Sequence, residues 1–198
     1  MASTYPTMSW MNIELSIERI FRELFPDLPV YRALLPETAA EQRALIGDDG
    51  RAVYIYLTPG KPDRFQDTYC TFWLCQSNSP QTKYLPTENL VGSWLREQAV
   101  DLQRALSLGD TAHAHLWPMY DYKALIPVSI YNTYLSGGDS SVISDYIDGT
   151  PYKVDNVGFV VRSGSAAPSL TLTQNPMLFE MPLVFQHCNQ ELYQGQRG

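Results

Sequence analysis

Near the start of the chain, apolar residues recur at helical spacing, at Ile13, Ile17, Ile20, Phe21 and Leu24. Glu14, Glu18, Arg19, Arg22 and Glu23 fall largely elsewhere around the turn, which predicts an amphipathic first helix over residues 10–25. Pro26 ends it, having no N–H to continue the ladder. A polar, proline-bearing stretch runs on to Asp49, with a short helical piece expected over 38–45, and Asp48-Asp49-Gly50 signals a turn. The period then drops to two. Val53, Ile55 and Leu57 alternate with Tyr54 and Tyr56, so 51–58 reads as a strand. Residues 68–76, apolar on both faces at their centre, read as a second strand covered on two sides. A second helix is expected over 87–106. Thr87 is a good N-cap and Glu88 places negative charge in the first turn. Val91, Trp94, Leu95, Ala99, Leu102 and Leu106 form its stripe, and Gly109 supplies the exit.

Beyond it the pattern weakens. Residues 114–120 and 123–131 look strand-like, but Pro118 and Pro127 demote both to edges or irregular runs. Ser136-Gly137-Gly138-Asp139-Ser140-Ser141 reads as a loop, and 142–147 fits either state. We expect 110–155 to be a β-rich insertion on a scaffold made of 10–107 and 157–188. The C-terminal third reads as a β-meander: 157–162 against 169–173, a turn at Asn175-Pro176, then a long strand over 178–187. In that strand Phe179, Met181, Leu183 and Phe185 point one way. Pro182 cannot donate to a ladder, so the strand is expected at a sheet edge or beside a bulge. The sum is a single α+β domain: an antiparallel β-sheet packed against two main helices, with a β-rich insertion and a C-terminal β-meander.

The totals narrow the chemistry. A chain of 198 residues with 44% hydrophobic content can bury a core without disulfides or structural metal. Cys70, Cys75 and Cys188 are an odd count without framework spacing, and Cys70 and Cys75 would face opposite sides of a strand; small buried thiols in a reducing setting are expected. The start of the chain has no basic stretch leading into an apolar one, and no window nears the length of a membrane span, so a soluble protein without a classical leader is expected. The net charge of −7, with no basic run, argues against a binder that neutralises nucleic-acid phosphates. Thirteen tyrosines suit half-buried strands and interfaces.

No motif names a reaction. His113 and His115 would share one side of a strand, and His187-Cys188 could add to them, but no further ligand stands at metal-site spacing. The glycine-rich run at 136–141 lacks the lysine and following helix of a phosphate loop, and no Gly-x-Ser-x-Gly elbow occurs. Asp48-Asp49 and the pair Asp63 and Asp67 lack calcium-loop spacing. Trp73, Trp94 and Trp117 read first as packing residues, with an aromatic ligand platform as the alternative. We expect no catalytic residue, no cofactor and no metal.

The order helix, two strands, helix, then closing antiparallel strands resembles that of phage tail terminator (tail completion) proteins. It is carried by the helix at 13–25, opening Met11-Asn12-Ile13-Glu14-Leu15-Ser16-Ile17-Glu18-Arg19-Ile20, the strands at 53–58 and 69–75, the helix at 90–106 and the strand at 179–185. The likeness implies a virion protein assembled in the host cytoplasm, a hexameric ring at the end of the tail tube. It would end the tail and join it to neck and connector proteins. It also implies a lumen that passes DNA without specific binding, no membrane partner, and no catalytic residues. On such a ring the expected contact residues are Val184 and Pro182 on the last strand and Ser163 and Gly164 in the loop 163–168, together with the loop 59–67. Two other classes remain open: a small-ligand or carbohydrate-binding β-rich module using the tryptophans and tyrosines, and a hydrolase whose residues converge only in the fold.

Overall fold

The computed structural model describes residues 10–46, 50–60, 67–77, 92–106, 108, 115–122, 126–135, 147, 149 and 152–189. In chain order the elements are α1 (Trp10–Leu24), β1 (Val30–Arg32), α2 (Ala39–Ile46), β2 (Arg51–Pro59), β3 (Asp67–Gln76), α3 (Ser93–Ala105), β4 (Leu116–Asp121), α4 (Val128–Leu135), β5 (Tyr152–Ser163), β6 (Ser169–Thr171) and β7 (Met177–Asn189). The fold is α+β, with a mostly antiparallel sheet. The chain divides into two compact units. The smaller comprises Met1–Ile20, Leu116–Phe159 and His187–Gly198; the larger comprises Phe21–His115 and Val160–Gln186.

In the larger unit the strands run β1-β2-β3-β7-β5, with β6 also pairing β7. The β2, β3, β6 and β7 ladders are antiparallel, and the three-residue β1 is parallel to its neighbour β2. Period-two alternation puts Val53, Ile55 and Leu57 of β2, Cys70, Phe72 and Leu74 of β3, and Phe179, Met181, Leu183 and Phe185 of β7 in the core. Phe72 is its centre. Phe21 and Phe25 stack on it at 5.1 and 5.8 Å, and Phe179 meets it edge-on at 6.4 Å. On the opposite face of the sheet, Ala52, Tyr54 and Cys75 are buried with Leu35, Ile46, Trp73 and Leu178 packed around them. α2 starts at a capping box: the Thr38 hydroxyl accepts the Glu41 N–H at 3.2 Å and donates to the Glu41 carboxylate at 2.7 Å. α3 buries Leu95, Ala99 and Leu102. Its N-cap is Gly92, with φ 69° and no side-chain cap. A Cβ there would also stand 2.5 Å from a terminal methyl of Leu172, which would have to shift, but it is the positive φ that favours glycine. Thr87, Glu88 and Val91 lie outside the described residues.

In the smaller unit, Met11, Leu15, Tyr122, Ile126 and Ile147 form the core, with Tyr120 and Ile130 packed against it. Of the polar residues that fall off the apolar stripe of α1, Glu23 is exposed and Glu14, Arg19 and Arg22 are half-buried, but others are enclosed. Asn12, Ser16 and Glu18 are buried. Two of them, Asn12 and Ser16, meet β4, the last strand of the sheet order. Asn12 Oδ1 accepts the Tyr122 N–H at 2.9 Å, and Ser16 Oγ accepts the Tyr120 N–H at 2.9 Å. Asn12 Nδ2 donates to Asp121 at 3.0 Å. The geometry matches, since four helical residues rise about 6 Å and two strand residues about 6.7 Å. Arg19 donates to the carbonyls of Ile147 and Gly149 at 3.1 and 2.9 Å and lies over the Tyr120 ring at 4.6 Å.

Three expectations are corrected. The stretch at 169–171 pairs with β7, Ser169 opposite Glu180, and not with 157–162; β5 has β7 and β4 as neighbours. β7 is therefore interior, and Pro182 is not on a sheet edge. Within the expected strand 123–131, the described residues turn helical at Val128, with Pro127 just ahead, a position its fixed φ favours.

Candidate functional site

The register of β2, β3 and β7 sets outward-facing residues in cross-strand rows. Tyr54, Trp73 and Glu180 form the first, Tyr56, Thr71 and Pro182 the second, Thr58, Tyr69 and Val184 the third. The first row is closed. The Trp73 indole N–H donates to Glu180 at 3.0 Å, and Tyr54 is buried. Burial, with Cys75 and Tyr31 adding to it, pushes the Tyr54 hydroxyl up to about 12. The second and third rows are open. Tyr56 is 39% and Tyr69 50% exposed, while Thr58, Thr71, Pro182 and Val184 are half-buried. None of these six positions carries a charge, on a chain of net charge −7.

Beside these rows lies a groove of about 430 Å³, lined by Tyr69, Thr71, Pro182 and Val184 on the strands and by 162–165 at the end of β5. Gly164 explains how an interior strand tolerates a proline. Its N–H donates to the Pro182 carbonyl at 2.8 Å, at the point where the neighbour of β7 changes from β6 to the end of β5. The backbone nitrogen of Pro182 shares the side of its carbonyl, so the missing donor falls in that gap between ladders. A Cβ on Gly164 would sit 2.8 Å from the Pro182 ring, so only glycine allows this approach. The four expected contact residues, Val184, Pro182, Ser163 and Gly164, thus come together in one groove.

Two charged residues line it as well, Asp67 and Arg162. Asp67 Oδ1 is buried without a hydrogen-bond partner among the described residues, whereas Arg162 is exposed. The sequence offered Asp67 only as a loop charge. Its alternation with Tyr69 and Thr71 is the signal that places it on the outward face. Cys70, beneath the groove, is buried, and desolvation lifts its thiol far above the ordinary range, which leaves no thiolate for chemistry. Cys75, on the other side of β3, is pushed up to about 12 by the same cause.

Among the described residues, the remaining candidates do not line the groove. His115 is exposed, while His113, Asp48, Asp49, Asp63 and 136–141 lie outside the described residues. His187 is buried edge-on to Phe159 at 4.9 Å, and burial lowers its pKa to about 4. Trp94 lies under the Arg51 guanidinium at 4.0 Å, a packing contact. Compared with known proteins, the chain matches no family model, no curated protein and no solved structure.

Proposed function

We propose that this protein is a structural subunit that acts by assembling with copies of itself into a ring, in the manner of the phage tail terminator proteins whose element order it resembles. In that role the ring ends the tail tube and joins it to the neck, within the virion. The antiparallel sheet with α1 and α3 as its main helices is the scaffold on this reading, and 110–155 an insertion upon it. One observation carries it: the open, uncharged second and third rows of the sheet, Tyr56, Thr71, Pro182, Thr58, Tyr69 and Val184. Copies of an acidic chain repel one another over most of their surface, so they meet most favourably where charge is missing. Half-exposed tyrosines beside proline and valine are the composition of an interface centre. The test is the mass of the purified full chain by light scattering, with electron microscopy of the particles, alone and with a tail tube protein. A closed ring is expected. A chain that stays monomeric at every concentration, and with the tube protein, refutes the proposal.

A further inference from the structure

We infer that the groove at Asp67, Tyr69, Pro182 and Val184 receives helix α3 of a second copy; this rests on the assembly reading above and names its contact. α3 buries Leu95, Ala99 and Leu102 and turns a different stripe outward. Glu97, Val100, Asp101 and Arg104 follow one another at helical spacing along it, and Val100, Asp101 and Arg104 are exposed. Val100, at the middle of the stripe, is 45% exposed. An apolar residue held in water there matches the apolar lining given by Tyr69, Pro182 and Val184.

The charges match in the same sense. Asp67 lines the groove half-buried, its Oδ1 has no donor among the described residues, and the carboxylate lowers its free energy by gaining one. Arg104 is the suited donor, since a guanidinium binds carboxylate in fixed fork geometry. Within its own chain Arg104 has an exposed pair with Asp101 at 3.7 Å, which solvent screens and which it can exchange. Asp101 is then released toward the exposed Arg162 on the other lining of the groove. α2 offers no equivalent. Its Leu45 is exposed, but Glu41 shares that stripe and Arg43 does not. Helix and groove are different surfaces of one chain, so the contact is heterologous, the kind that propagates from copy to copy until a ring closes.

The experiment uses the full chain and four variants, V100E, R104D, D67R and the double variant D67R/R104D, with K153E as a surface control. Circular dichroism and thermal melting check each fold. Self-association is measured by sedimentation velocity. V100E, R104D and D67R should each weaken association about tenfold or more. D67R/R104D should recover most of the loss, because the two exchanged charges then face each other across the contact. K153E should associate as the unaltered chain does. Should D67R fail to fold, D67N takes its place, and a flatter salt dependence of association is expected from it. If V100E and R104D associate normally while a further variant in the groove, V184E, does not, the groove has another occupant and this inference is wrong. If the double variant stays as weak as the singles, the pairing of Asp67 with Arg104 is wrong. If the unaltered chain never associates, the assembly reading itself has failed.

Discussion

A sheet leaves two kinds of surface to deal with, an edge of backbone donors and acceptors and a face of side chains, and the two units handle them in opposite ways. In the smaller unit the edge is closed. The N–H groups of Tyr120 and Tyr122 are taken up by Ser16 and Asn12 of α1, so no other chain can add a strand by using them. In the larger unit the sheet ends on β1, only three residues long, and a whole stretch of face between Tyr56 and Val184 stays open. On the assembly reading proposed above, this difference is what would let copies associate without polymerising at random. Unpaired backbone pairs with almost any strand, whereas a patterned side-chain face is selective. Sequence alone points to contacts through a sheet edge at Pro182. Our proposal places them on the face instead.

The contrast between covered and open surface is sharpest in β3. Phe72 and Tyr69 stand three residues apart on opposite faces. Phe72→Ala removes the ring on which Phe21, Phe25 and Phe179 pack, and should cost about 3–5 kcal/mol in urea unfolding. Tyr69→Ala, on the open face, should stay within about 1 kcal/mol. Equal losses would mean that both faces are covered.

The next effect is one of pH and belongs to the smaller unit. His187 is buried beside Phe159, and its folded pKa is lowered to about 4. The unfolded chain binds a proton at about 6.5, so below that pH protonation favours unfolding. Stability should therefore be unaffected by this group above pH 6.5, fall as pH drops from about 6.5 to 4, and level off below, with a total loss of up to about 3 kcal/mol. His187→Gln should flatten that part of the curve. An unchanged slope would show that other groups cause it.

Breaking the closed edge comes third. Asn12→Ala leaves the Tyr122 N–H and the Asp121 carboxylate without their partner, and should cost about 1–3 kcal/mol. Ser16→Ala, which loses one bond, should cost about 1 kcal/mol. The combined variant should also form larger aggregates on standing, seen by light scattering, because it exposes strand donors. If it loses stability yet stays as disperse as the unaltered chain, the edge-guarding role of α1 is excluded.

What can be read from sequence follows hydrophobic period. α1, β2 and β7 each have long runs of one period, β3 is a short run apolar on both faces, and the places of all four agree closely with expectation. Period fails where polar residues are buried. Asn12 and Ser16 lie outside the apolar stripe of α1, and nothing in α1 itself records that β4 supplies their partners. It fails again at Pro182, whose missing donor reads as an edge signal. A gap between two ladders on one side of an interior strand has the same consequence, but that gap is set by residues 163–169, distant in sequence. β1 escapes notice because three residues give no period, and α4 because Ile126, Val128 and Ile130 alternate like a strand. The groove is half legible. Val184, Pro182, Ser163 and Gly164 follow from strand and turn chemistry, whereas Asp67 and Tyr69 need the register of β3 against β7.

The smallest stability effect is the most telling about function. Val184 is half-buried, opposite Tyr69 in the third row, with Thr58 beyond it. Glutamate there keeps the backbone bonds of β7 and removes little packing, because the row has no layer above it. Its strand propensity is lower than that of valine, and Asp67 lies along the same groove, so a small loss is expected, about 0.5–1 kcal/mol. Melting should therefore shift by only a few degrees. Self-association should respond far more. A carboxylate at the β7 end of the uncharged rows must be desolvated when a second copy covers them, and such a penalty exceeds what one apolar contact returns. Light scattering and thermal melting on one preparation separate the two. A folded chain that no longer associates fits an open face used between copies. A folded V184E chain that associates like the unaltered one places the contact elsewhere on the surface. A V184E chain that melts as early as the Phe72→Ala variant shows instead that Val184 is packed, and that the face is not open at all.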